Sequence, residues 1–293
     1  MKKPLIVVTG VNGQLGWSIQ NIANNFSEFE FLFADRNLLD LSNPGSIPDF
    51  FKQYQPQYFI NCAAYTAVDK AETEQELALI INATSVGEIA KQCAAINATL
   101  ITISTDYVFD GNGTAPYTTT QATAPLNYYG YSKWLGEKLA LENNPQTIVI
   151  RTSWVYCEHG NNFVKTMLRL MKDRTSLNVV SDQIGSPTYA PDLAKTILKV
   201  ITGLQSGQSN YGVYHYSNSG VISWYEFATA IKALAGLSCE VYPIASAEYP
   251  TPAKRPFYSV MDTSLIQQNF EAAIPKWEES LRLCIANLKL ATA

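Results

Sequence analysis

An α/β fold, with a doubly wound parallel sheet and a smaller, loop-rich C-terminal lobe, is predicted by three observations. In the first half, short β-branched runs alternate with segments whose apolar residues recur at helical spacing. A glycine-spaced turn joins the first of those runs to the first helix. In the second half the alternation breaks down, and prolines gather at Pro243, Pro250, Pro252 and Pro256. A chain of 293 residues has room for one large domain or two unequal lobes.

Each element has its own signal. Leu5 to Thr9 reads as a strand buried on both faces, because it is apolar without alternation. Leu15, Ile19, Ile22 and Phe26 then share one face of a helix. Phe29 to Ala34 is the next strand, with Asp35 and Arg36 at its end. Gln57 to Ala63 and Leu100 to Ser104 read as strands on either side of Gln75 to Ala98, which is mostly helix. Asn127 to Glu142 is helical and Thr147 to Thr152 extended. Further on, Asn162 to Lys172 and Pro191 to Ile201 are helical, and Val213 to Tyr216 is a strand. Ser223-Trp224-Tyr225-Glu226 is a capping-box signature for a helix through about Leu234. Pro275 suits the first turn of a last helix. No internal repeat or low-complexity segment interrupts the chain.

Composition excludes several classes of function. Charged residues make up 16% and the net charge is -4, with no Lys/Arg cluster, so no nucleic-acid footprint is expected. Cys62, Cys93, Cys157, Cys239 and Cys284 are odd in number and scattered, which reads as reduced packing residues in a cytoplasmic protein. His159 and His215 are too few and too separated for a zinc site, so no metal ligands are expected. The apolar run Leu5 to Val8 is too short for a signal peptide, and none approaches the about 18 residues of a membrane span.

The chemistry-bearing residues lie in the first half. Gly10, Gly13 and Gly16 follow a strand and open a helix, the setting in which a backbone turn and free N–H groups receive a pyrophosphate. Asp35 ends the next strand near the spacing of about 20 residues at which an acid bonds a ribose 2′-hydroxyl, which favours NADH. Arg36 beside it suits the 2′-phosphate of NADPH, and both cofactors stay open. Tyr129 and Lys133 stand one helical turn apart on one face. An ammonium there is expected to lower the phenol's pKa toward working pH and make it usable in proton transfer.

In these and neighbouring motifs the chain resembles the dTDP-4-dehydrorhamnose reductase family of the extended short-chain dehydrogenase/reductase superfamily. The resemblance runs through Thr9-Gly10-x-x-Gly13-Gln14-Leu15-Gly16, Leu39-Asp40-Leu41-Ser42 and the stretch Asn61 to Glu72. It continues in Ser104-Thr105-Asp106-Tyr107-Val108-Phe109-Asp110-Gly111, Pro125 to Lys133, Arg151 to Tyr156 and Arg255-Pro256. It implies a Rossmann-like fold, with a dinucleotide-binding domain over 1–153 and about 187–218. A substrate-binding lobe would take about 154–186 and 219–293. It implies Thr105, Tyr129 and Lys133 as the catalytic set, with Tyr129 as proton donor to a ketone oxygen. Gly10, Asn12, Gly13, Gln14, Leu15 and Gly16 would hold NADPH or NADH. Asp35, Arg36, Asp40, Leu41, Ala63, Ala64 and Tyr65, together with Tyr129 and Lys133, would also touch it. Val68, Thr105, Asp106, Tyr107, Tyr129, Trp154 and Arg255 would face a nucleotide-sugar substrate, Arg255 through its diphosphate. A homodimer and a magnesium ion enter by resemblance alone.

The implied reaction is reduction of the 4-keto group of dTDP-4-dehydro-β-L-rhamnose. A dehydratase on this fold carries an Asp-Glu pair after the threonine, where this chain has Asp106 and Tyr107. An epimerase carries Ser-Ser-x-x-Val-Tyr-Gly, from which Ser-Thr-Asp-Tyr-Val-Phe-Asp departs. The alternatives are a reductase of a related 4-keto sugar and a non-catalytic NADP-binding subunit like the methionine adenosyltransferase β subunit.

Overall fold

The computed structural model describes residues 3–290; the expected domain bounds at 1–2 and 291–293 lie outside the described residues. In chain order, the first half comprises β1 Leu5–Thr9, α1 Gln14–Ile22, β2 Glu30–Ala34, α2 Ile47–Tyr54 and β3 Tyr58–Asn61. The short helices α3 Val68–Ala71 and α4 Gln75–Leu79 follow, then α5 Ser85–Ala95 and β4 Thr99–Thr105. Next come α6 Tyr128–Asn143, β5 Thr147–Thr152, β6 Val155–Tyr156 and α7 Phe163–Asp173. The remainder is β7 Ser176–Val180, β8 Ile184–Gly185, β9 Thr188–Tyr189, α8 Ala190–Gln205, β10 Gly212–His215 and β11 Ile222–Ser223. It ends with α9 Trp224–Ala235, β12 Glu240–Ile244, α10 Ser264–Phe270 and α11 Trp277–Leu290.

Six strands form one sheet in the order β10-β5-β4-β3-β1-β2, and every neighbouring pair is parallel. The order changes direction between β1 and β3, which is where a doubly wound sheet opens a crevice at its carboxyl edge. β1 explains why both faces must be covered. Ile6 and Val8 pack with α1 and α8 on one side, and Val7 packs with α2 and α5 on the other. At the crevice the Thr9 hydroxyl donates to Asn61 Oδ1 at 2.7 Å, tying the ends of β1 and β3.

A third apolar cluster lies apart from the sheet and joins β6, α7, β7, α9 and α11 through Tyr156, Met167, Leu177, Phe227 and Leu281. Segment α10, which the expected division puts in the smaller lobe, packs its Ile266 and Phe270 into the sheet core instead.

Two local expectations are corrected and a third is refined. The strand expected over Gln57 to Ala63 stops at Asn61, because Cys62 and Ala63 turn out to line the crevice. The segment Gln75 to Ala98 is mostly helix, as expected, but passes through a π turn at Ile80–Thr84 and ends at Ala95. Pro275 lies before α11 rather than in its first turn. There its carbonyl accepts from Ser219 N at 2.9 Å and Lys276 bridges Ser219, so this pairing keeps the backbone extended until Trp277.

Candidate active site

The glycine turn sits at the crevice because β1 ends there and α1 begins. Gly10 has φ +67, and a Cβ on it would stand 2.6 Å from Ala63 N, so neither conformation nor space admits another residue. A Cβ on Gly16 would collide with Gly10 O, which lets the helix close onto the turn. Gly13 caps α1 without a side-chain hydrogen bond, and the first turn of α1 carries no acid. Unengaged N–H groups and a helix dipole without competing negative charge fit a dinucleotide pyrophosphate.

Two adjoining cavities share Gly10, Asn12, Gly13, Ala63 and Ala64. The larger, about 630 Å³, also contains Gln14, Leu15, Val68, Thr105, Asp106, Tyr107, Tyr129, Lys133 and Trp154. The smaller, about 220 Å³, contains Asp35, Arg36, Asp40 and Leu41. Most expected site residues therefore meet in one continuous cleft. Three stand apart. Gly16 supplies room rather than a surface. Tyr65 is outside both cavities, and its hydroxyl donates to Glu74 Oε2 at 2.7 Å. Arg255 is outside as well, with its guanidinium on Asp69 Oδ2 at 2.7 Å and on Tyr107 OH at 3.3 Å.

Helix α6 brings Tyr129 and Lys133 to the cavity that the glycine turn also lines. Its start is held from two sides: Gly130 N donates to Asn127 Oδ1 and Tyr128 N to Glu72 Oε1, each at 2.8 Å. The Tyr129 ring meets Tyr107 edge-on at 5.6 Å. Thr105 ends β4, where its hydroxyl donates to Asp106 Oδ1 at 3.0 Å and accepts from Tyr107 N at 3.2 Å.

Electrostatics reverse one expectation. Loss of water around its hydroxyl pushes the Tyr129 phenol well above its ordinary value; the Thr105 hydroxyl opposes this, and Asp106 and Tyr107 reinforce it. The expected lowering by Lys133 does not appear; burial of the phenol sets the direction. Lys133 is itself buried, which brings its pKa down to about 8, while Glu137 and Cys62 push the other way. Burial also raises the Asp106 carboxyl to about 6 against the hydrogen bond from Thr105. Its Oδ2 has no hydrogen-bond partner among the described residues. Burial pushes Tyr107 up to about 12, with Arg255 opposing.

The sequence reading missed several contributors. Asn82, on the π turn, donates to Tyr65 O at 3.0 Å and to Ser132 Oγ at 2.9 Å, and its Oδ1 accepts from Tyr65 N at 2.9 Å. It thereby ties the segment after β3 to α6. The signal was slight, since a π turn leaves no mark in apolar spacing. Gly160 and Asn161 reach the cleft from beyond β6, and Asn162 Nδ2 donates to Gln14 Oε1 at 2.9 Å. Trp154 holds φ 48, a left-handed backbone costly for a bulky residue, typically about 1–3 kcal/mol. All five cysteines are unpaired, and among the described residues no group of three or more His, Cys, Asp or Glu could hold a metal ion. The magnesium implied by resemblance gains no site from this arrangement. Among the described residues no helix is long and apolar enough to cross a membrane.

A parallel sheet with a glycine turn at its switch point and a Tyr-x-x-x-Lys helix at the same cleft defines an oxidoreductase of the short-chain dehydrogenase/reductase type. A family model described as the RmlD substrate binding domain matches residues 3–290. The dTDP-4-dehydrorhamnose reductase of Escherichia coli (strain K12) is 41% identical over 297 residues, covering 98% of this chain and 99% of that one. The enzyme of that name from Aggregatibacter actinomycetemcomitans is 40% identical over 284 residues, covering 94% and 97%. The crystal structure of dTDP-4-dehydrorhamnose reductase from Bacillus anthracis str. Ames in complex with NADP superposes with a TM-score of 0.92 at 40% identity, covering 98% of this chain and 100% of that one. The chain belongs to the dTDP-4-dehydrorhamnose reductase family.

Proposed function

We propose that this chain reduces the 4-keto group of dTDP-4-dehydro-β-L-rhamnose to give dTDP-L-rhamnose, with NADPH or NADH as reductant. The observation that carries the reading is the convergence of Thr105, Tyr129 and Lys133 on one cleft with the glycine turn, in a chain of this reductase family. The nicotinamide ring, when bound, supplies a hydride to the ketone carbon. Tyr129 holds its proton firmly because its hydroxyl is desolvated. As negative charge grows on the ketone oxygen, that oxygen becomes more basic than a phenolate, and the proton passes to it. Thr105, by turning its hydroxyl from Asp106, donates its one proton to the same oxygen. Lys133, with a pKa of about 8, is mostly charged at neutral pH. Its charge would offset the phenolate, and by family resemblance its N–H groups would hold the nicotinamide ribose. Burial therefore suits Tyr129 to donating a proton rather than abstracting one.

Contacts in the smaller cavity bear on cofactor preference. Asp35 Oδ1 accepts from Asn37 N and Leu38 N at 3.0 Å, and Oδ2 from Asn37 Nδ2 at 3.2 Å, so three donors of its own turn compete with a ribose for the carboxylate. Arg36 is 75% exposed and touches Asp40 at 3.3 Å, a weak surface pair that a phosphate can displace. These contacts favour NADPH. Residues 1–153 and about 187–218 form the cofactor domain in this reading, with α10 packed on its sheet, and about 154–186 and 219–293 form the sugar lobe. Trp154, Tyr107, Asp106 and Val68 face the sugar. Arg255 reaches the diphosphate by leaving Asp69. The reaction runs in the cytoplasm; assembly as a homodimer is carried over from resemblance.

The test is turnover of purified protein on a panel of 4-keto nucleotide sugars with NADPH and with NADH. Tyr129→Phe is expected to cut kcat roughly 100-fold or more and to leave NADPH affinity within about twofold. Near-parental turnover of that variant would remove Tyr129 as donor. Tight NADPH binding without turnover on any sugar would point to a non-catalytic subunit.

A further inference from the structure

The indole of Trp154 stacks on that of Trp224 with centroids 3.6 Å apart and planes 13° from parallel. Trp154 is part of the cleft wall, and Trp224 stands behind it, tilted against Phe163 at 4.5 Å. At the edge of the Trp154 ring lies Gly185, where a Cβ would stand 2.7 Å from two indole carbons. Gly185 and the residue two before Trp224 are direct partners, because β8 pairs with β11 in the register Ile222 to Gly185.

The backbone carrying Trp224 is fixed. Glu226 N donates to Ser223 Oγ at 3.1 Å and Ser223 N returns a bond to Glu226 Oε2 at 2.7 Å, so the capping box pins the start of α9. Trp154 is tied to the fold through its carbonyl, which accepts from Thr188 N at 3.2 Å where β6 meets β9. Its φ of 48 is one an L residue rarely adopts, so its ring is aimed by what surrounds it.

We propose that Trp224, together with Gly185, is a positioning and specificity-determining element that fixes the plane of Trp154 and thereby the depth of the sugar pocket. The proposal rests on the reading of Trp154 as a sugar-facing wall. A flat apolar ring face complements a sugar ring only in one orientation. A ring already locked loses no further freedom when the sugar arrives, whereas a loose one must be ordered at the expense of affinity. Trp224 touches neither sugar nor cofactor and acts through Trp154.

Steady-state kinetics with dTDP-4-dehydro-β-L-rhamnose and NADPH test this, alongside far-ultraviolet circular dichroism, in which two stacked indoles give an exciton couplet. Trp224→Ala is expected to abolish the couplet, raise the sugar-nucleotide KM roughly fivefold and leave the NADPH KM within about twofold. Trp224→Phe, which retains a stacking face, is expected to bring the sugar-nucleotide KM back toward the parent. A Trp224→Ala protein that loses the couplet and keeps the parental sugar-nucleotide KM overturns the proposal. Trp154→Ala separates the two levels: an unchanged sugar-nucleotide KM there overturns the placement of Trp154 itself. If Trp224→Ala shows no cooperative melt, Gly185→Ala decides instead, since it displaces the same ring from its edge. A raised sugar-nucleotide KM then supports the proposal and an unchanged one overturns it.

Discussion

Asp106 holds a carboxyl in a place that costs the fold stability. Its pKa is raised from 3.8 to about 6, so the folded protein keeps that proton more tightly than the unfolded chain does. Below about pH 4 both states are protonated and nothing is lost. As pH climbs from about 4 to above 6 the unfolded chain ionises first, and stability falls by on the order of 2–3 kcal/mol. Asp106→Asn should therefore stabilise at pH 7 and have little effect at pH 4, as denaturant melts at both values would read; an equal effect at both would contradict the burial argument. Lys133 gives a second pH signature. With its pKa lowered to about 8, kcat/KM should decline as pH passes 8, because the ammonium beside Tyr129 is lost. A profile flat to pH 10 would exclude a required charged Lys133. That Tyr129 and Lys133 share one face of a helix at the cleft was legible in the sequence, since they stand one turn apart, whereas Thr105 entered by resemblance alone. The sign of the Tyr129 shift was not, because desolvation depends on what packs around the ring from Tyr107 and Thr105.

At the scale of elements, α6, which brings Tyr129 and Lys133 to the cleft, is locked to β5 by a buried ion pair. Arg151 Nε and Nη2 donate to the two Glu137 carboxylate oxygens at 2.9 and 2.7 Å, with both side chains nearly inaccessible. Glu137→Ala strands the guanidinium in the interior and should cost about 3–5 kcal/mol in urea melts. Replacing both partners by methionine should cost far less, because no charge is then left unpaired. A loss in the single variant no larger than that in the double would show that the pair is not what locks the helix. The six strands of the main sheet and most of the long helices were readable to within a few residues, because burial on one or both faces imposes apolar spacing, but β7, β12, α2 and α10 were not read. The π turn at Ile80–Thr84, and with it the role of Asn82, was hidden. So were the two-residue strands β6, β8, β9 and β11, which are too short to show a period and exist because the neighbouring backbone pairs with them.

For the molecule as a whole, the cofactor should stabilise the fold by occupying the cleft. NADPH at about 100 times its Kd should add about 2.7 kcal/mol and raise Tm by several degrees. Gly16→Ala should abolish that ligand-induced rise, since its Cβ competes with Gly10 O for the space that closes the turn. An undiminished rise in the variant would show that the turn tolerates opening. The tertiary structure also ties the turn to distant chain: Gln14 Nε2 donates to Val155 O at 3.2 Å, and the His159 ring bonds Asn12 O at 3.0 Å. By itself, the sequence determined the parallel sheet, the glycine turn, the Tyr129 and Lys133 face and the family, because these depend on residue type at short, regular spacing. Only the tertiary structure decided which way burial moves each pKa, that Arg255 rests on Asp69, that Tyr65 turns from the cleft and that Trp154 is backed by Trp224. Those depend on contacts between residues far apart in the chain, and no local pattern encodes the distance or the desolvation they produce.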